Sequence, residues 1–277
     1  MKEVTAPPVV VARADIRGEI RRNQWLAVLV LAPVAVVVLV VGSVVGVLAG
    51  LGVLGVVVGL VLAAVVVALA YFGADRVALS GAKARPAPED EFSRLHNLVE
   101  GLCIAAGLPK PALAVVDDPA PNAFTTGRSP RHATLAVTTG LLAELNRVEL
   151  EGVVAHELSH VKRYDPLVST VAVVALPPVA LVLAPLAARL TAVTLRGDRE
   201  VVADAAGVAL TRYPPGLASA LRKLQAAPTP VRHAARVSAP LWIDSPLAGA
   251  ADATSWRNRP FGTHPPLEER IEILDAM

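Results

Sequence analysis

Cysteine is nearly absent from this chain of 277 residues: Cys103 is the only one. That excludes an internal disulfide framework and a cysteine-built metal cluster. Aromatic residues are scarce at 4%, and no basic stripe is interleaved with them, so no nucleic-acid partner is expected. Formal charge is missing from two long stretches: Trp25 to Phe72, 48 residues, and Pro166 to Ala188, a further 23. No internal repeat is visible, which argues against a stacked array.

The first charge-free stretch holds mainly Val, Leu, Ala and Gly. At about 1.5 Å per helical residue it far exceeds one hydrocarbon core of roughly 30 Å. Two transmembrane helices near 25–48 and 52–72 are therefore predicted, with the turn at Gly50 and Gly52. A fully buried soluble hairpin is the alternative, and this hydropathy argues against it. A cleaved signal peptide is not expected, because the stretch starts late and is several times longer than a signal core. Gly42, Gly46 and Gly50 in one helix, and Gly55 and Gly59 in the other, have the spacing of close helix packing in lipid. That spacing serves packing within the hairpin and between copies equally well, so oligomeric state stays open. Arg13, Arg17, Arg21 and Arg22 precede the pair, and Arg76, Lys83 and Arg85 follow it. The turn carries no basic residue, so both flanks should face the cytoplasm, in a multi-pass protein of the cell membrane. These flanks also account for the pI of about 8.9.

Beyond the membrane region the informative stretch is His156-Glu157-Leu158-Ser159-His160. Two imidazoles four residues apart share a helix face and can bind one metal ion, and Glu157 can reach the water such an ion activates. The alternative is a surface helix with solvated side chains. Its flanks argue for a buried helix: Asn146 with Glu149 reads as a capping box, and Val148, Leu150, Val153, Val154, Leu158 and Val161 form a wide apolar stripe. Asp165-Pro166 is the expected stop. A catalytic zinc takes three protein ligands. The candidates are His96, His132, His233, His264 and the acidic residues, among which Glu200 and Asp204 share a face at i, i+4. One can bind the metal while the other orients a ligand histidine; an exposed acidic face is the plainer reading.

Leu150 to Asp165 resembles the active-site helix of the HtpX family of membrane zinc endopeptidases, which is related to the CAAX prenyl proteases. Three further pieces match in order: Asn122-Ala123-Phe124, Arg199-Glu200-x-x-Ala203-Asp204, and Thr263-His264-Pro265-Pro266 through Ile271. The resemblance spans residues 89–277. It implies zinc, one per chain, on His156, His160 and Glu200, with Glu157 as general base and Asp204 as an outer support. It also implies that Asn122, Ala123 and Phe124 form an edge strand beside the metal, where a polypeptide substrate can be held by backbone pairing; an ordinary sheet edge with a turn at Asn122 is the alternative. His264 is the candidate second donor to the oxyanion. A histidine capping the last helix, or a removable fourth ligand, fits its position as well. Arg270 is expected to pair with a carboxylate and hold the C-terminal segment.

The second charge-free stretch is long enough to cross a membrane once, yet one crossing would part His156 and His160 from Glu200. Pro177-Pro178 at its middle leaves two arms too short to span, and basic residues flank both ends, so a hairpin over 166–188 is predicted, dipping into the bilayer or lying on the first two spans. Helices are also expected over Glu89 to Ala106, with Cys103 as a buried small hydrophobe, over Pro214 to Ala227 and over Pro265 to Met277. Strands are expected at Ala112 to Val116 and Thr134 to Thr138, and an irregular loop at 228–262.

The fold expected is α+β and mainly helical: a cytoplasmic segment 1–24, a transmembrane hairpin 25–72, and a gluzincin-type zinc metallopeptidase domain 73–277 with a small sheet. The activity expected is a membrane-bound zinc endopeptidase acting on membrane or misfolded proteins in quality control. A protease dedicated to one partner, and a non-catalytic zinc-binding membrane scaffold, are the alternatives. Glu157 argues against the scaffold, since a structural site needs no base beside an open metal position.

Overall fold

The computed structural model describes residues 16–195, 198–227, 230–232, 238–244, 246 and 265–277. Helix α1 (Ile16–Gly46) and helix α2 (Val53–Gly81) form an antiparallel pair joined by a π-helical turn at Val47–Leu51. Gly50 at φ 81° and Gly52 at φ 53° make that turn, in backbone territory that side chains disfavour. Gly46 and Gly55 lie so close that a Cβ on Gly46 would come 2.5 Å from Gly55 Cα. The small-residue spacing thus serves packing inside the hairpin. Val36, Val40, Val44, Val57 and Leu60 point outward, part of an apolar surface larger than water tolerates. Both helices outrun the charge-free stretch, starting at Ile16 and ending at Gly81, because helical backbone bonds form whether the side chains are apolar or charged.

The peptidase body begins with a mixed sheet of β1 (Arg85–Pro86), β2 (Ala112–Val116), β3 (Ala123–Gly127) and β4 (Ala133–Thr138), in the order β1-β2-β4-β3. Strands β2 and β4 run parallel, and the outer pairs are antiparallel, which leaves β3 at an edge. Helix α3 (Ser93–Ala106) starts four residues later than expected, because Pro88 to Phe92 forms a turn. It buries Leu95, Val99, Leu102 and Cys103. Short helix α4 (Thr139–Glu144) leads into α5 (Arg147–Arg163), then α6 (Asp165–Thr194), α7 (Asp198–Thr211), α8 (Pro214–Ala226) and α9 (Leu267–Asp275). The main core lies where α3, α5, α8 and α9 meet the sheet, around Leu95, Leu135, Leu150, Val154, Leu221 and Leu274.

Helix α5 starts as its sequence dictates. Asn146 Oδ1 accepts from the N–H groups of Val148 and Glu149, and Glu149 Oε2 accepts from Asn146 N–H at 2.8 Å. Ser219 and Lys223 of α8 also donate to the Glu149 carboxylate. At its other end Tyr164 takes a left-handed conformation (φ 63°), costly for a bulky residue, and α6 leaves at 81°.

Both arms of α6 pack on the first two helices. Leu167, Val171, Leu176 and Val179 from one arm, and Ala187 and Leu190 from the other, share a cluster with Ala27, Val30, Leu31, Val34 and Ala70. The helix runs through Pro177-Pro178, the expected midpoint, and breaks instead at Leu183 (φ −134°, ψ 58°). Packing of Leu176 and Val179 holds the chain helical past the first two prolines. In an unbroken helix Pro185 would clash with the Leu181 carbonyl, and it disfavours α geometry at Ala184. α1, extended through the turn to Leu51, and α2 are long and apolar enough to cross a membrane.

Candidate metal centre

His156 and His160 project from one face of α5, and Glu200 meets them from the first turn of α7. The helices approach closely at Gly207, where a Cβ would sit 2.9 Å from His156 N. Ser159 ties them further by donating to the carbonyls of His156 and Ala203. His156 Nε2 lies 3.2 Å from His160 Nε2 and 3.4 Å from Glu200 Oε2, and His160 Nε2 lies 3.6 Å from Glu200 Oε1. Donor atoms about 2.0–2.1 Å from one tetrahedral ion stand about 3.3 Å apart, so this set fits a metal of zinc's size.

Each imidazole is held from behind. His156 Nδ1 faces Asp204 Oδ1 at 2.8 Å, and His160 Nδ1 faces Asp165 Oδ2 at 2.8 Å. A carboxylate at Nδ1 favours the proton there and turns the Nε2 lone pair toward the cluster. Burial by itself lowers the pKa of His160, but Glu200 and Asp165 outweigh it and push it up to about 9, so the cluster favours positive charge. Asp204 is clamped by Arg270, whose Nε and Nη2 donate to its two oxygens at 2.8 and 2.7 Å. Arg270, fully buried, is the strongest of the influences that hold Asp204 ionised against its burial. This is the carboxylate partner expected for Arg270.

Glu157 is buried beside the pair, and Thr125 of β3 donates to its Oε2 at 2.8 Å. Burial pushes its carboxyl above the usual range, opposed by His156 and His160. A carboxylate whose proton affinity is raised is better suited to general-base work than an exposed one.

The outer edge of β3 is occupied. Trp242 bridges to Phe124, Ile243 N–H donates to the Ala123 carbonyl at 2.9 Å, and the Phe124 and Trp242 rings lie 4.5 Å apart. Pro240, Leu241 and Trp242 line the metal pocket with Thr125, Pro166 and Ser169, and only about 20 Å³ is left inside. The Ala123 carbonyl, expected to be open to a peptide, is taken by the chain's own segment, and Trp242 sits across from Phe124. Asn122 is committed as well: its amide donates to the Asp244 carbonyl, and its Oδ1 accepts from Ala123 N–H.

Among the other histidines, His96 bonds the Ala87 carbonyl and His132 bonds Ser129, both away from the cluster. His233 and His264 lie outside the described residues. Asp165 was expected only as a helix stop, and no spacing rule marks it, because the sharp turn at Tyr164 is what swings it back onto His160. Thr125 and Trp242 carry no signal that the sequence offers alone.

The profile of peptidase family M48 matches residues 89–277. The chain belongs to peptidase family M48. Its curated relatives include proteins named "Protease HtpX homolog". One from Dictyoglomus thermophilum is 41% identical, covering 75% of this chain and 77% of that protein. One from Tropheryma whipplei is 40% identical over 75% and 80%. One from Limosilactobacillus fermentum is 37% identical over 94% of this chain and 99% of that protein. This M48 peptidase is a metalloprotease, a hydrolase of peptide bonds, and a membrane protein. The expected fold, a two-helix apolar N-terminus followed by a mainly helical peptidase domain with a small mixed sheet, is the one observed.

Proposed function

We propose that this M48 peptidase is a zinc endopeptidase of the cell membrane in which His156, His160 and Glu200 hold one zinc ion per chain and Glu157 is the general base. The observation that carries the reading is the convergence of two carboxylate-backed imidazoles and Glu200 beside a buried glutamate. When bound, zinc supplies Lewis acidity to the attacking water and the scissile carbonyl. Glu157, aimed by Thr125, takes the proton of the attacking water and returns it to the leaving amine. Asp204 and Asp165 keep the imidazoles in the required tautomer through the cycle. His264 remains the candidate second donor to the oxyanion, from its place in Thr263-His264-Pro265-Pro266.

The substrate is an extended polypeptide that pairs with β3 at Ala123 and Phe124, which requires residues 241–243 to leave that edge. Pro166 and Ser169 of α6 line the metal pocket while α6 packs on α1 and α2, which supports cleavage close to the apolar helices and membrane or misfolded proteins as substrates. The N-terminal pair is read as spanning the bilayer, and the basic residues on both flanks support a peptidase body on the cytoplasmic side.

The test is Glu157→Gln in purified full-length protein. Zinc content should stay near one per chain while turnover of casein or a membrane substrate falls by ~100-fold or more. Near-normal turnover would remove Glu157 from the mechanism. A proteome-wide cleavage comparison separates broad quality control from a dedicated partner.

A further inference from the structure

Asn23 is a buried amide in the N-terminal part of α1, directly after the last charged residue of that flank, Arg22, and 2% exposed. A buried amide needs partners, and its Nδ2 has two. It donates to Asp165 Oδ1 at 2.7 Å and to the Arg163 carbonyl at 2.9 Å. The other oxygen of Asp165, Oδ2, lies 2.8 Å from His160 Nδ1 and accepts from Arg163 Nη2 at 3.0 Å. Both oxygens of this carboxylate are therefore fixed, one by the membrane helix and one by the metal-site histidine. The second bond satisfies a carbonyl in the last turn of α5, where helices leave carbonyls without internal partners. It also braces the left-handed turn at Tyr164 that aims Asp165 at His160.

We propose that Asn23 is a positioning residue for the metal ligand His160, acting through Asp165, so that the first membrane helix holds the peptidase site in register. The inference rests on the reading of His160 as a zinc ligand. Packing alone joins α1 to α6 through Ala27, Val30, Leu31 and Val34, but Asn23 adds a directional link to one imidazole. A shift of α1 along or about its axis changes the Asp165 geometry and with it the aim of His160 Nε2.

The experiment uses the full chain in detergent micelles and in phospholipid vesicles. Zinc affinity is measured by chelator competition, and the cobalt-substituted protein reports ligand geometry by its visible spectrum. Asn23→Leu should weaken zinc by about 5–10-fold, less than the ~10–100-fold of a group touching the ligand directly. The cobalt spectrum should shift, and kcat should fall with KM nearly unchanged. Val34→Ala, which loosens the same α1–α6 contact without touching Asp165, should leave zinc affinity and spectrum unaltered. In an Asp165→Asn background, Asn23→Leu should have little further effect, because the two act in series. Should Asn23→Leu fail to accumulate, Asn23→Ser reads the same quantity, since a hydroxyl reaches only one of the two acceptors. Wild-type zinc affinity in both Asn23 variants, an equal loss in Val34→Ala, or full additivity with Asp165→Asn would each overturn the proposal. Glu200→Ala in the same assay separates the failures. If it too keeps tight zinc, the ligand assignment is wrong. If it alone loses zinc, only the role of Asn23 falls.

Discussion

Glu200 and Asp204 stand one turn apart on α7 and face opposite sides of His156: Glu200 lies by Nε2 and Asp204 by Nδ1. That division of labour makes their losses unequal. Glu200→Ala should abolish tight zinc binding, while Asp204→Ala should weaken it by roughly 10–100-fold, both read by chelator competition. Wild-type affinity in Glu200→Ala would send the search for a third ligand elsewhere, first to His264. At this scale the sequence was informative where spacing carries the chemistry. A helical period places His156 with His160 and Glu200 with Asp204. It was silent on Asp165 and Thr125, whose roles depend on an 81° bend and on a strand from another part of the chain.

Two elements carry predictions of their own. The start of α5 holds Glu149 well inside, where burial would raise its pKa, but Lys223, Ser219 and the Asn146 N–H outweigh it and lower it. A folded pKa below the unfolded value means the stabilisation is present above the unfolded carboxyl pKa of about 4.3, and is lost as pH falls from there through the folded value. Glu149→Gln should therefore cost about 1–2 kcal/mol at pH 7. The gap to wild type should close below about pH 4, followed by thermal unfolding across pH. A gap independent of pH would show that shape, not charge, is what Glu149 contributes. The segment 238–243 is the second. Trp242 and Ile243 hold the edge of β3, the edge proposed for substrate, so on that proposal Trp242→Ala should raise kcat/KM for a short peptide about 3–10-fold. The gain should lie mainly in KM. An unchanged KM would mean that peptides enter by another face.

Across the whole molecule, the metal centre and the membrane bundle share α6 and the Asn23 link. Because α6 turns back at Leu183, the residues before and after it should lie on one side of the bilayer. Single cysteines at Lys162 and Arg212, in a Cys103→Ser background, should react alike with an impermeant thiol reagent. A cysteine at Leu51, in the turn between α1 and α2, should react from the opposite side. Opposite accessibility of Lys162 and Arg212 would rule out Glu200 as a partner of His160 and make α6 a single crossing.

The sequence by itself determined what local rules encode. Charge-free length set the membrane pair, Gly50 and Gly52 its turn, Asn146 and Glu149 the start of the metal helix, and the His156–His160 spacing the chemistry, because each depends on neighbours within a turn or two of chain. Only the tertiary structure decided the rest. The break in α6 falls at Leu183 and not at Pro177-Pro178, since burial against α1 and α2 holds the earlier prolines in the helix. The β3 edge is occupied, since Trp242 reaches Phe124 from more than a hundred residues away in the chain. Asp165, Arg270 and Asn23 become parts of one hydrogen-bonded frame around the imidazoles. Buried polar groups must find partners wherever the fold brings them, and no spacing along the chain says which partners those are.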